Sequence, residues 1–149
     1  MSGAAASMAP MREGVPEVGV VVVGHGGFAA EMVQTLLTVV GGLNGVEGVA
    51  CRLDAPREAI CAAVCQALDQ VDRGAGAIIF TDMLGDTASN VSLEVARNRP
   101  DVEVVCGVNM PMLMKLATAR RGSSASELAG FIRRYGQEHI CWPTGDGCA

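Results

Sequence analysis

Four short, nearly unbroken apolar runs, Val18–Gly24, Val46–Leu53, Ala75–Asp82 and Val102–Val108, alternate with stretches whose apolar positions recur at helical spacing. Strands that do not alternate with polar residues suit a parallel sheet covered on both faces. The segments between them are long enough for crossover helices. In the second segment Ile60, Ala63, Val64, Ala67, Leu68 and Val71 share one helical face, with Pro56 where a first turn begins. The first predicted helix, about Phe28 to Val40, stops at Gly41-Gly42, a pair suited to a left-handed cap. Further helices are predicted near Ala88–Arg97 and Met110–Arg121. Ser124-x-x-Glu127 reads as a capping box for a last one reaching about His139. The pattern predicts an α/β fold, doubly wound, with a mainly parallel central sheet and helices on both faces. It divides the chain into a loose leader over 1–16, a single domain over 17–141 and a tail over 142–149.

Composition sharpens this picture. With 149 residues, half of them hydrophobic and only 3% aromatic, the core must be aliphatic. A net charge of −5 leaves no basic footprint for nucleic acid, whereas a basic patch on another protein is a suitable partner. The Ala/Ser/Gly/Pro-rich start lacks the charged and apolar regions of a signal peptide, and no run of 18 apolar residues occurs. A cytoplasmic protein is expected. The six cysteines, at 51, 61, 65, 106, 141 and 148, form no framework and no CxxC pair. Four lie in predicted strands or helices and read as buried thiols in a reducing compartment. His139, Cys141 and Cys148 are possible metal ligands in the tail, but their irregular spacing near a terminus argues against it. Neither metal nor cofactor is expected.

The chemistry gathers at strand ends. The first run leads into Gly24-His25-Gly26-Gly27. The third ends in Thr81-Asp82, followed by Met83-Leu84-Gly85-Asp86-Thr87-Ala88-Ser89-Asn90. The fourth leads into Gly107-Val108-Asn109-Met110-Pro111-Met112. In a parallel sheet all three lie at the carboxyl edge, where open α/β folds bind ligands. If strands one and three are neighbours, His25 and Asp82 can meet. A carboxylate on one imidazole nitrogen fixes the tautomer and frees the other lone pair for attack. Gly26 lets a partner approach, and the Gly85–Thr87 turn opens a helix whose first N–H groups suit a phosphate. Histidine nucleophile, orienting aspartate and anion site together describe phosphoryl transfer through phosphohistidine. Taken singly, each has an ordinary use: a turn histidine, a loop-capping aspartate, an N-capping Thr87 or Ser89, a proline-started helix.

Val23-Gly24-His25-Gly26-Gly27-Phe28-Ala29 resembles the phosphorylation site of the mannose-family IIA components of the sugar phosphotransferase system. Phe80 to Asn90 is similar to that family's Asp-x-x-Gly-Gly-Ser-Pro-x-Asn loop, and Cys106 to Leu113 to its Gly-Val-Asn-x-Pro-Met-Leu segment. The likeness runs in order from about Val18 to Ile140. It implies that His25 takes a phosphoryl group from the phosphocarrier HPr and passes it to a IIB component on a separate chain, with the membrane components IIC and IID reached only indirectly. It implies that Asp82 holds the other ring nitrogen, that Gly26, Gly85 and Thr87 lie at the phosphate, and that Asn109, Pro111 and Met112 form a partner-facing loop. It also implies a homodimer that exchanges a strand from within Lys115–Ser126. Thr87 replaces the family's serine, Asp86 its second glycine and Ala88 its proline. Asp86 is expected to face solvent as a partner of the helix dipole.

Two other readings compete. Gly24-x-Gly26-x-x-Ala29, with Asp54 after the second strand, fits a relaxed dinucleotide fingerprint, but leaves His25, Asp82 and Asn109–Met112 without a role. A regulatory or docking protein of the same fold would keep the surface without transferring phosphate. Retention of both His25 and Asp82 argues against loss of transfer, and no feature points to a particular sugar.

Overall fold

The computed structural model describes residues 14–148. Within them the chain runs β1 (Gly19–His25), α1 (Phe28–Val40), β2 (Val46–Cys51), α2 (Arg57–Val71), β3 (Ala77–Thr81), α3 (Thr87–Arg97), β4 (Val102–Cys106), α4 (Met110–Ala119) and α5 (Ala125–Glu138). The strands form one parallel sheet in the order β2-β1-β3-β4. β2, β3 and β4 are shorter than the apolar runs that predict them: β3 ends before Asp82 and β4 before Val108, which frees both residues for the edge.

Alternation along β1 sends its side chains to two different cores. Val18, Val20 and Val22 pack with Leu36 of α1, Leu113 and Leu116 of α4, and Leu128 and Ile132 of α5. Val21 and Val23 pack with Ile60, Val64 and Leu68 of α2 and Val91 and Val95 of α3. The doubly wound architecture is therefore present, with β1 and β3 central and buried on both faces. This stiff centre carries His25 and Asp82 at its carboxyl edge.

The opposite edge is held by a residue that sequence reasoning passed over. Arg120, only 2% exposed, donates from Nη2 to Glu17 Oε2 at 2.9 Å and to the Asn44 carbonyl at 2.7 Å, and from Nη1 to the Gly45 carbonyl at 3.2 Å. Its own carbonyl accepts from the Val18 amide at 3.1 Å. The guanidinium thus ties the end of α4 to the entrances of β1 and β2. Arg120→Ala strips the donors from these groups, so urea unfolding is expected to report a loss of about 2–3 kcal/mol.

The clamp lies in the segment of the expected exchanged strand. Lys115–Ser126 is not extended: α4 runs to Ala119, residues 120–124 form a short link, and Ser124 caps α5. Among the described residues its strand-like pairing is one antiparallel bridge, Glu17 with Arg121. The expected strand is therefore not formed within this single chain, and an exchange between two copies is not shown. Most of the predicted leader, residues 1–13, lies outside the described residues. No helix among those described is long and apolar enough to cross a membrane.

Candidate functional site

Two adjacent central strands build the site. β1 pairs with β3 in the register Val23 to Thr81, so the residues just beyond, His25 and Asp82, emerge side by side. The Cβ of any other residue at Gly24 would lie 2.6 Å from the Phe28 ring and 3.4 Å from Asp82 Oδ2, so glycine permits this close approach. Gly26 has φ +51°, a left-handed turn that lets the chain reverse directly after His25 and enter α1.

Asp82 is an acceptor three times over. Its Oδ2 accepts from the His25 amide at 2.9 Å and meets His25 Nδ1 at 2.7 Å, while Oδ1 accepts from the Met83 amide at 2.9 Å. A carboxylate oxygen facing Nδ1 places the proton on Nδ1 and leaves the Nε2 lone pair free. Burial pushes the Asp82 carboxyl up, but the hydrogen bonds from the His25 amide and ring, the ring's charge and the Met83 amide outweigh it and hold the group below its ordinary value. The hydrogen bond to Asp82 raises His25 above its ordinary 6.5, opposed by desolvation and aided by the charges of Asp82 and Asp86. His25 remains 35% exposed.

Asp86 does not face solvent. It is the N-cap of α3: Oδ1 accepts from the Ser89 amide at 2.8 Å, and Ser89 Oγ accepts from the amides of Asp86 at 3.1 Å and Gly85 at 2.8 Å. This reciprocal cap orients the carboxylate so that Oδ2 turns inward, 3.3 Å from His25 Nδ1. Oδ2 is buried and has no hydrogen-bond partner. Sequence reasoning missed this contact. The signal available was Asp86-x-x-Ser89 itself, a cap pair whose first member projects from a helix start at the sheet edge.

The other predicted residues divide. The Gly85 amide is spent on Ser89, whereas Thr87, exposed, begins α3, where first-turn N–H groups lack helical acceptors. The notion of a partner-facing loop is corrected for Met112, which is buried in the core beside α5. Asn109 Oδ1 accepts from the Met112 amide at 3.1 Å and its Nδ2 donates to the Gly136 carbonyl at 3.1 Å, so it fastens α4 to α5. Pro111 opens α4 and is half-buried.

The cysteines need two corrections. Only Cys51 is buried; Cys61, Cys65 and Cys106 are half-buried. Cys141 and Cys148 are disulfide-bonded to each other, so the tail cluster offers no free thiolates for a metal, and His139 Nδ1 meets the Tyr135 carbonyl at 2.7 Å. One cluster of donor atoms exists among the described residues: His25, Asp82 and Asp86, all within 4.8 Å of one another. Nδ1 faces both carboxylates, Asp82 at 2.7 Å and Asp86 at 3.3 Å. Asp54, the acidic residue of the dinucleotide reading, pairs through both oxygens with Arg52 at 3.1 Å.

Around His25 the carboxyl edge exposes Phe28, Leu53, Met83 and Leu84, the second 94% and the last 75% exposed. Exposed apolar groups around a reactive nitrogen suit a protein partner.

Comparisons with known proteins bear on the family and the fold. A family model described as "PTS system fructose IIA component" matches residues 19–132. The sorbose-specific EIIA component of the phosphotransferase system of Lacticaseibacillus casei is 26% identical over 85 residues, 56% of this chain and 62% of that protein. The chain spans between half and two thirds of the length of the curated relatives it matches. The mannose/sorbose-specific IIA subunit of Enterococcus faecalis superposes with a TM-score of 0.75 at 21% identity, covering 85% of this chain and 94% of that one. Component EIIA of Streptococcus agalactiae gives 0.76 at 21% identity, covering 85% and 98%.

Proposed function

The chain belongs to the mannose-family IIA components of the sugar phosphotransferase system, and from that premise we propose that it is a phosphoryl carrier using His25. The observation that carries this reading is the 2.7 Å contact of His25 Nδ1 with Asp82 Oδ2, which leaves Nε2 as the open nucleophile. Phospho-HPr is the donor and a IIB component the acceptor, both working in the cytoplasm. The Thr87 end of α3, whose dipole favours an anion, is the expected partner for the phosphate. Gly26 keeps the approach free of side chains. A homodimer is compatible with the surfaces left open, and no feature of the site selects a sugar.

The test is incubation with phosphoenolpyruvate, enzyme I and HPr. Acid-labile label on the peptide carrying His25 supports the reading. Absence of label, with HPr itself labelled, overturns it in favour of a regulatory or docking protein.

The exposed apolar residues at the edge give a second test. Leu84→Asp and Leu53→Asp are each expected to weaken the complex with HPr about tenfold, since central apolar contacts carry roughly 1–3 kcal/mol of binding. Calorimetric titration measures this. Unchanged affinity in both variants would move the docking surface elsewhere.

A further inference from the structure

We propose that Asp86 is a second positioning carboxylate which, together with Asp82, holds the Nδ1 proton of His25 throughout the transfer and so keeps phospho-His25 in its transferable form. The inference rests on the carrier reading above and adds a role for a residue that stands where the resembled loop has glycine.

Three observations converge. Asp86 Oδ2 lies 3.3 Å from Nδ1, beside the 2.7 Å contact of Asp82. That oxygen is buried without any hydrogen-bond partner. The orientation is imposed by the α3 cap, in which Oδ1 is fixed by the Ser89 amide at 2.8 Å. A buried carboxylate oxygen without a partner is costly unless a positive group stands nearby. A ring bearing a proton on Nδ1 and a phosphoryl group on Nε2 is such a group, because it is an imidazolium.

The chemistry balances without any proton leaving the ring. In acceptance, the Nε2 lone pair forms the bond to phosphorus while the donor's bond to phosphorus breaks and its electron pair stays with the donor. The ring becomes a phosphoimidazolium with its Nδ1 proton in place. In delivery, the acceptor's nucleophile bonds to phosphorus, the Nε2–P bond breaks, and its pair returns to Nε2 to give neutral imidazole. Had Nδ1 lost its proton, the leaving group would be imidazolate, a far poorer one. Holding that proton decides whether the group can be passed on.

The other groups facing the ring do not compete. From β2 the titratable neighbour is Cys51, opposite His25 in register, whose thiol is pushed up by burial and then by Asp86 and Asp82. From α1, Gly27 and Phe28 bring no charge. Asp82 and Asp86 are thus the charges against Nδ1, and both act to retain its proton.

The experiment compares wild type with Asp86→Asn, which keeps the shape and the cap oxygen but not the charge, and with Asp86→Gly, which removes both. In EDTA, the His25 ring is titrated by ¹H–¹⁵N spectroscopy on unphosphorylated protein. His25 is then phosphorylated with phosphoramidate, a small donor that needs no HPr, and hydrolysis is followed by ³¹P spectroscopy across pH. Both variants are expected to titrate His25 at lower pH than wild type. Their phosphohistidine should hydrolyse about three- to tenfold more slowly at about pH 8 and at the wild-type rate in acid, where every ring is protonated. An unchanged titration in Asp86→Asn overturns the proposal, as does a rate ratio constant at every pH, which is the mark of simple repulsion. A shift in Asp86→Gly alone assigns the effect to the helix cap and also overturns it. Labelling by phosphoramidate but never by HPr would sink the carrier reading while leaving the Asp86 contact to be judged on the titration.

Discussion

Replacing His25 with alanine is expected to abolish labelling from phosphoenolpyruvate through enzyme I and HPr, while His139→Ala keeps it. The chain has two histidines, so the pair of variants decides between them. His25 stands at the free edge with its Nε2 open, whereas His139 ends α5, stacks on Tyr135 at 3.8 Å between ring centroids and has Nδ1 against a backbone carbonyl. Because the His25 side chain is partly exposed and contributes little to either core, its loss should leave the fold intact. Circular dichroism and thermal melting check that. Label surviving on His25→Ala would mean that another group is the acceptor.

Asp82→Asn is expected to slow phosphoryl acceptance about 100- to 10,000-fold, the scale seen when the carboxylate behind a catalytic imidazole becomes an amide. Asp82 accepts on both oxygens, from the His25 amide and ring on one and from the Met83 amide on the other. Asparagine has one acceptor oxygen and one NH₂ to set against these donors. If NH₂ faces His25, it donates to Nδ1, moves the proton to Nε2 and removes the attacking lone pair. If NH₂ faces Met83, it opposes an N–H, and the negative charge that stabilises the phosphoimidazolium is still lost. In wild type, the rate of acceptance should rise with pH through a midpoint above the ordinary imidazole value, because free imidazole is the nucleophile and the hydrogen bond to Asp82 raises His25. In Asp82→Asn that midpoint should fall. Stopped-flow or quench measurements of acceptance across pH test both. A variant with wild-type rate and midpoint would leave Asp82 a purely structural cap.

The fold was legible where local chemistry and pattern agree. The extent of α1 is legible, because His25-Gly26 and Gly41 punctuate both ends and Val33 and Leu36 mark its inner face. The capping box at Ser124 gives the start of α5 for the same reason. Strand order is not a local property; the His25–Asp82 meeting was conditional on β1 and β3 pairing, and that pairing is a fact of tertiary structure. Asp86 eluded the reading because its direction depends on which of its two oxygens the Ser89 amide takes. Met112 eluded it because a motif tells nothing about which side of a helix the core lies on. Arg120 is the clearest case: a charged residue is read as solvated, yet this guanidinium reaches Glu17, Asn44 and Gly45, all distant in sequence, and is buried by that reach.

The placement of the imidazole also governs how traffic passes over it. Its Nδ1 side is closed by Asp82 and Asp86 and its backbone is locked into the central strand, so donor and acceptor must reach Nε2 by one and the same approach. On the carrier reading the two partners take turns, and no three-protein complex forms on the way. Initial-rate plots should therefore be parallel, and an excess of either partner should block the other by occupying the only door.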